Sequence, residues 1–276
     1  MTSASSSPAR RIVSVAWRVA LAMLPLGAGL AIMVGVQSGQ RDPSDPATLG
    51  TRIAAGVVIS ALTIAVIALL LRRERRGLAD AGLTGIRSGW RLALWGALVW
   101  AVPAALAFAV LAALGAPLSI SSDAADVVLT VVLLVLAVLL LEALPEELVF
   151  RGYVTTALGD LTRGWATIVV QAVLFTLFAG VLRQNWNATD LSLFLAMGIG
   201  FGYIRMVTGS IWMSIGFHLA FQTGSQLVLA HDAVAFSGDT GAAMIALGVV
   251  PFTVAAVVVS STGIPRFVQR PHRSVA

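Results

Sequence analysis

The chain has 276 residues, of which 58% are hydrophobic and only 11% charged, with a mean hydropathy of +0.92. That is more apolar surface than a soluble domain of this length buries, so lipid has to serve as the solvent for much of it. The formal charge is +5, yet all 18 basic residues are Arg and lie in short breaks between apolar runs, which suits a membrane surface and not the folded basic face of a nucleic-acid binder; no cysteine is present for a disulfide or a Cys-based metal or redox centre.

A helix needs roughly 20 apolar residues to cross the hydrocarbon layer. Eight runs of about that length stand in the sequence, near 12–36, 53–71, 92–115, 127–145, 165–182, 191–207, 211–229 and 241–260. The first follows Arg10 and Arg11, and Arg18 near its start is expected to snorkel to the interface. A secretory-signal reading of this run is the weaker one, because the run is long for a signal h-region. Arg41, Asp42, Pro43, Asp45, Pro46 and Arg52 form the next connection, and Arg72, Arg73, Arg75, Arg76, Arg87 and Arg91 follow the second run. Arg151 and Arg163 follow the fourth, Arg205 ends the sixth, and Arg266, Arg270 and Arg273 lie in the tail. An even number of spans puts both ends of the chain on one side, and the arginines make that side cytoplasmic. Arg41 and Arg52 run against the rule.

The expected fold is therefore all-α, a multi-spanning transmembrane bundle of about eight helices with both termini cytoplasmic, in the plasma membrane. It is read as a single membrane domain over 1–276, with tails at 1–11 and 261–276. Trp17, Trp90, Trp165, Trp186 and Trp212 fall near span ends, where an amphipathic ring prefers to sit. Gly198 and Gly202 have the spacing of a close helix contact.

The fourth run closes on a cluster that the composition makes conspicuous. Of the four Glu in the chain, Glu142, Glu146 and Glu147 lie within six positions, with Arg151 four residues after the last. On a helix, Glu142 and Glu146 share a face, and Glu147 and Arg151 are placed to pair. Ionisable side chains in lipid are costly and usually mark function. The bland reading is that charges simply mark the cytoplasmic end of a helix. Pro145 removes a backbone donor and should free a carbonyl near Leu141, a situation that requires protein or water beside it.

The second polar centre is in the seventh run, where His218 and Gln222 share a face with Ser214. One can relay a proton while the other donates to an oxyanion, or both can merely bond neighbouring helices. His231 and His272 fall in a loop and in the tail, where solvated roles are expected.

Glu146-Glu147-Leu148-Val149-Phe150-Arg151 resembles the E-E-x-x-x-R motif of the CAAX-protease and bacteriocin-processing (CPBP, or Abi) family of intramembrane endopeptidases. Gly152-Tyr153, the Thr208–Trp212 turn and His218 follow in the family's order, giving a CPBP-like core at 127–229, and Gly77–Leu83 is similar to the family's cytoplasmic loop. The resemblance implies catalytic roles for Glu146 as the base, Glu147 and Arg151 as orienting partners, His218 as the His of the last motif and Gln222 in the Asn position that steadies the oxyanion. It also implies a middle F-x-x-x-H motif, and here Phe175-Thr176-Leu177-Phe178-Ala179 ends in Ala. A zinc site by family resemblance would then retain only Glu146 and His218, short of the three protein ligands that catalytic zinc usually has.

Two functions from different classes follow. The first is a CPBP-type endopeptidase, metalloprotease-like, that cleaves a membrane-bound, prenylated or otherwise membrane-associated peptide or protein near the cytoplasmic face with a Glu-activated water. The second is a catalytically impaired scaffold or binding protein, motivated by Ala179. A proton-coupled transporter ranks behind both, since no internal repeat is visible. The partners expected are membrane lipids and the membrane-bound substrate, with no nucleic acid.

Overall fold

The computed structural model describes residues 7–37, 45–120, 123–231, 233–265 and 268; Arg41, Asp42, Pro43, Arg266, Arg270, His272 and Arg273 lie outside the described residues. The architecture is the expected all-α multi-span bundle. Its helices are α1 (Pro8–Gln37), α2 (Pro46–Arg73), α3 (Ile86–Ala113), α4 (Ala124–Leu158), α5 (Trp165–Arg183), α6 (Ala188–Thr208), α7 (Trp212–Leu229) and α8 (Thr240–Thr262). Two three-residue strands, β1 (Leu118–Ile120) and β2 (Val234–Phe236), pair antiparallel between α3 and α7 at one end.

By length and composition, seven of these helices are apolar enough to cross a membrane. The exception is α7, which spends four positions on Ser214, His218, Gln222 and Gln226. Its place in the bundle is secured by close packing. A Cβ on Gly216 would run into the Ala93 carbonyl of α3, and one on Gly96 into the Met213 carbonyl of α7, so the two backbones touch where side chains would hold them apart. Gly198 and Gly202 make the anticipated contact of the same kind, against Ala172 and Ile168 of α5.

Local signals set the helix ends. Asp45 caps α2 through its Ala47 N–H (3.1 Å) with Pro46 at the first turn, and Asn187 caps α6 through the Thr189 N–H (2.8 Å). Gly209, at φ 63°, closes α6 in the left-handed conformation that glycine adopts without strain.

The arginine-rich connections converge on one end. Arg18 of α1 pairs with Glu74 after α2 (2.8 Å), which also accepts from the Tyr153 hydroxyl of α4 (2.5 Å). Arg76 pairs with Asp160 between α4 and α5 (2.8 Å), a bond that raises the guanidinium's pKa above its ordinary value. Arg205 reaches the Asp80 carbonyl, and the Trp212 indole donates to Thr84 (2.9 Å). Arg18 is thus held by an acid instead of snorkelling alone, and Trp212 serves the loop after α2 instead of the headgroups. Trp17, Trp90, Trp165 and Trp186 are exposed, as the interface reading requires.

The largest difference from the sequence reading is in α4. The span expected to stop near 145 continues as one helix to Leu158, and π-helical turns at Leu139–Ala143 and Leu148–Val154 flank Pro145. The first π turn shifts the bonding register by one, with Leu144 N–H donating to Leu139 O, so the carbonyl left without a donor by Pro145 is that of Leu140 and not Leu141. The Ser60 hydroxyl of α2 donates to it (2.5 Å). Gly56, one turn away, lets α2 come this close, since a Cβ there would meet Leu140 and Leu141 at 2.9 Å. Helix α1 is an integral wall of the bundle, with Val15, Val19, Ala22 and Leu26 buried.

Candidate intramembrane active site

With its two π turns, α4 presents its charges in three directions. Glu147 and Arg151 point into a sealed pocket where both are fully buried. Arg151 Nη1 donates to Glu147 Oε1 (2.9 Å), Nη2 reaches the Met197 carbonyl (3.3 Å), and the guanidinium lies 4.3 Å from the Phe175 ring centroid and 5.0 Å from that of Phe201. A guanidinium between two aromatic faces and a carboxylate is an arrangement that tolerates removal from water.

The same Glu147 oxygen is 3.1 Å from His218 Nδ1, which brings in α7 from 71 residues along the chain. A carboxylate paired with Arg can only accept, so Nδ1 is the nitrogen that donates to it, and Nε2 is the ring nitrogen left for other contacts. Phe201 stacks on the imidazole at 5.6 Å and fixes its plane. Ser214, expected on the same face, is fully buried and donates to the Ile211 carbonyl (3.0 Å).

Glu142 belongs to a second cluster. Arg52 Nη2 donates both to Glu142 Oε1 and to Gln226 Oε1 (2.8 Å each), while Gln222 Nε2 donates to Glu142 Oε2 (2.8 Å) and Gln226 Nε2 to Glu142 Oε1 (3.1 Å). Arg52 therefore sits inside the protein, 9% exposed, and its conflict with the arginine rule disappears: it balances a carboxylate and marks no loop.

Between the clusters lies Glu146, half-buried, with no hydrogen bond or ion pair to protein among the described residues. It faces a cavity of about 600 Å³ lined also by Glu142, Ala179, His218, Gln222 and Gln226, with apolar walls from Phe175, Phe178, Leu182 and Phe194. The five residues singled out in the sequence, Glu146, Glu147, Arg151, His218 and Gln222, are thus brought together, and Ala179 stands beside them where the resemblance implies a histidine.

Sequence reasoning missed Arg52 and Gln226. For Gln226 a signal existed, since it repeats the spacing of His218 and Gln222 at one further turn; Arg52 carried none. His231 was expected in solvent and is instead 5% exposed where α7 ends.

The donors present do not fit a three-ligand metal. Glu147 is committed to Arg151 and His218, and Glu142 to Arg52, Gln222 and Gln226. Glu146 and His218 remain, and among the described residues no group of three His, Asp or Glu is placed to hold an ion.

Fold and site together define an integral multi-pass helical protein in which a sealed carboxylate–guanidinium pair holds an imidazole that lines a cavity within the bundle. The model of the type II CAAX prenyl endopeptidase Rce1-like family matches residues 128–224, which run from α4 to α7 and contain all five site residues. Over those residues, about a third of the chain, the sequence is similar to that family of prenyl endopeptidases. No curated protein matches the chain, and no solved structure does.

Proposed function

We propose that the chain is an intramembrane endopeptidase of the CPBP type, acting in the plasma membrane on a membrane-associated peptide or protein with a water activated by Glu146. The observation that carries this is the division of labour among the three carboxylates. Glu142 and Glu147 are each held by an arginine, and Glu146, the one left unpaired, faces the cavity that His218 and Gln222 also line.

Water between Glu146 and a peptide carbonyl gives its proton to the carboxylate as its oxygen bonds the carbonyl carbon. The C–N bond then breaks, and the leaving amine takes the proton back. His218, fixed by Glu147 through Nδ1, offers Nε2 to the same water or to the leaving group. Gln222 has one amide N–H in its bond to Glu142 and a second for the developing oxyanion, a donor type worth roughly 10²–10³-fold in rate where measured. No step is routed through a metal, because the donors do not make a metal set.

Glu146→Gln should abolish cleavage of a membrane-tethered reporter while the purified protein retains its unfolding temperature. Undiminished cleavage would sink the reading. Ala179 favours a second reading, that of a scaffold which binds a membrane partner without cutting it. If the parent is inactive and Ala179→His creates cleavage, the scaffold reading holds for the natural chain; cleavage by the parent removes it.

A further inference from the structure

The cavity has a direction, and it is not the one expected. From its floor at Glu146 and His218, it is walled by Met33 and Val34 near the end of α1, Thr48 at the start of α2, Arg183 at the end of α5, Phe194 near the start of α6, and Leu229 and Ala230 at the end of α7. All of these belong to the end of the bundle opposite the arginine-rich one. No residue of the connection after α2, of the segment between α4 and α5, or of the turn between α6 and α7 lines it. Those connections are instead closed over the bundle by the Arg18–Glu74 and Arg76–Asp160 pairs and by the bonds from Ser210 to Gly82 and from Trp212 to Thr84.

Positive loops are retained in the cytoplasm. Arg52, the described residue that ran against this rule, is an internal counter-ion, which leaves Arg183 as the described arginine exposed at the cavity end. We infer that the substrate enters from the extracytoplasmic side, as an apolar peptide segment of an exported or outward-anchored protein, and not from a lipid-modified tail in the cytoplasm. The inference rests on the peptidase reading for what is cut, but the sidedness stands on the cavity's geometry and the distribution of arginines. The chemistry of the walls agrees: Leu30, Met33, Phe178, Leu182 and Leu229 offer apolar contact, and Glu142, the acid on the wall above Glu146, is neutralised by Arg52.

The chain has no cysteine, so single cysteines can be read without background. Val34→Cys and Ala230→Cys at the rim, and Ala79→Cys in the arginine-rich connection, leave the site residues untouched. A membrane-impermeant charged thiol reagent should label the two rim variants at least tenfold faster in right-side-out than in inside-out vesicles, with Ala79→Cys showing the reverse. Rim labelling confined to inside-out vesicles would overturn the inference. A maleimide bearing a long polyethylene glycol chain, added from outside to Ala230→Cys, should then stop cleavage of the tethered reporter; full cleavage by the modified protein would equally overturn it. A parent without any cleavage sinks the peptidase reading instead, and the labelling alone decides the side.

Discussion

Glu147 and Glu142 are five residues apart on one helix, each is matched by one arginine, and each is bonded to a side chain of α7, yet their surroundings are unlike. Around Glu147 there is no room: Arg151, His218, Phe175 and Phe201 close on it, and nothing of the pair is exposed. Around Glu142 there is space, because Arg52, Gln222 and Gln226 form one wall of a cavity and the pair keeps partial exposure, with side chains 11% and 15% accessible. The first cluster holds an imidazole in one orientation, and the second holds an amide. What the difference teaches is that the sealed pair is committed to the fold, whereas the open one can change its contacts when something occupies the cavity.

The comparison is tested most severely at the sealed pair. Glu147→Leu leaves the Arg151 guanidinium buried without its counter-ion, a loss that costs about 3–5 kcal/mol in comparable buried pairs. The unfolding midpoint of the detergent-purified protein should fall sharply, and the double variant Glu147→Leu with Arg151→Met should recover most of the fall, because no orphaned charge remains. If Glu147→Leu alone is no worse than the double variant, the pair is not the closed unit described here.

The open cluster should respond less in stability and more in rate. In Glu142→Leu, Arg52 retains the Gln226 oxygen at 2.8 Å and has the cavity beside it, so the stability cost should stay at about 1.5–3 kcal/mol, the range for a hydrogen bond to a charged group. Gln222 loses the acceptor that orients it, and the turnover of the tethered reporter should drop by about 10²-fold, as when an oxyanion donor is removed. A variant that unfolds as readily as Glu147→Leu, or that cleaves at the parental rate, would erase the distinction between the two clusters.

Much of this was legible in the sequence, and the reasons are physical. Span positions follow from runs of apolar residues that have no other solvent, and the pairing of Glu147 with Arg151 follows from helical spacing. The Glu147–His218 bond was not legible, because nothing in a spacing of 71 residues specifies which helices touch. The α3–α7 contact, written in Gly96 and Gly216, was missed for the same reason: small residues show that something approaches closely without showing what. Arg52 misled because a charge at a span end looks alike whether it faces water or a buried carboxylate. The end of the fourth span was misplaced because the apolar run stops at Pro145, whereas the helix goes on through charges that find partners inside the bundle.

The bond from Ser60 to α4 supports the smallest prediction. Ser60→Ala removes the hydroxyl that bonds the Leu140 carbonyl, and in a membrane interior such a bond is worth about 0.6 kcal/mol on average. The loss alone would be hard to assign, so the informative measurement is its dependence on Pro145. In a Pro145→Ala background the restored backbone N–H can take a carbonyl one turn back, and Ser60→Ala should then cost close to nothing. Coupling between two residues on different helices would show that the hydroxyl on α2 stands in for the amide hydrogen that proline lacks, which is how a helix carrying Glu146 and Glu147 just past a proline continues through the bundle. Equal cost in both backgrounds would mean that the π turn at Leu139–Ala143 is held by α4 itself, and that Ser60 is only a neighbour.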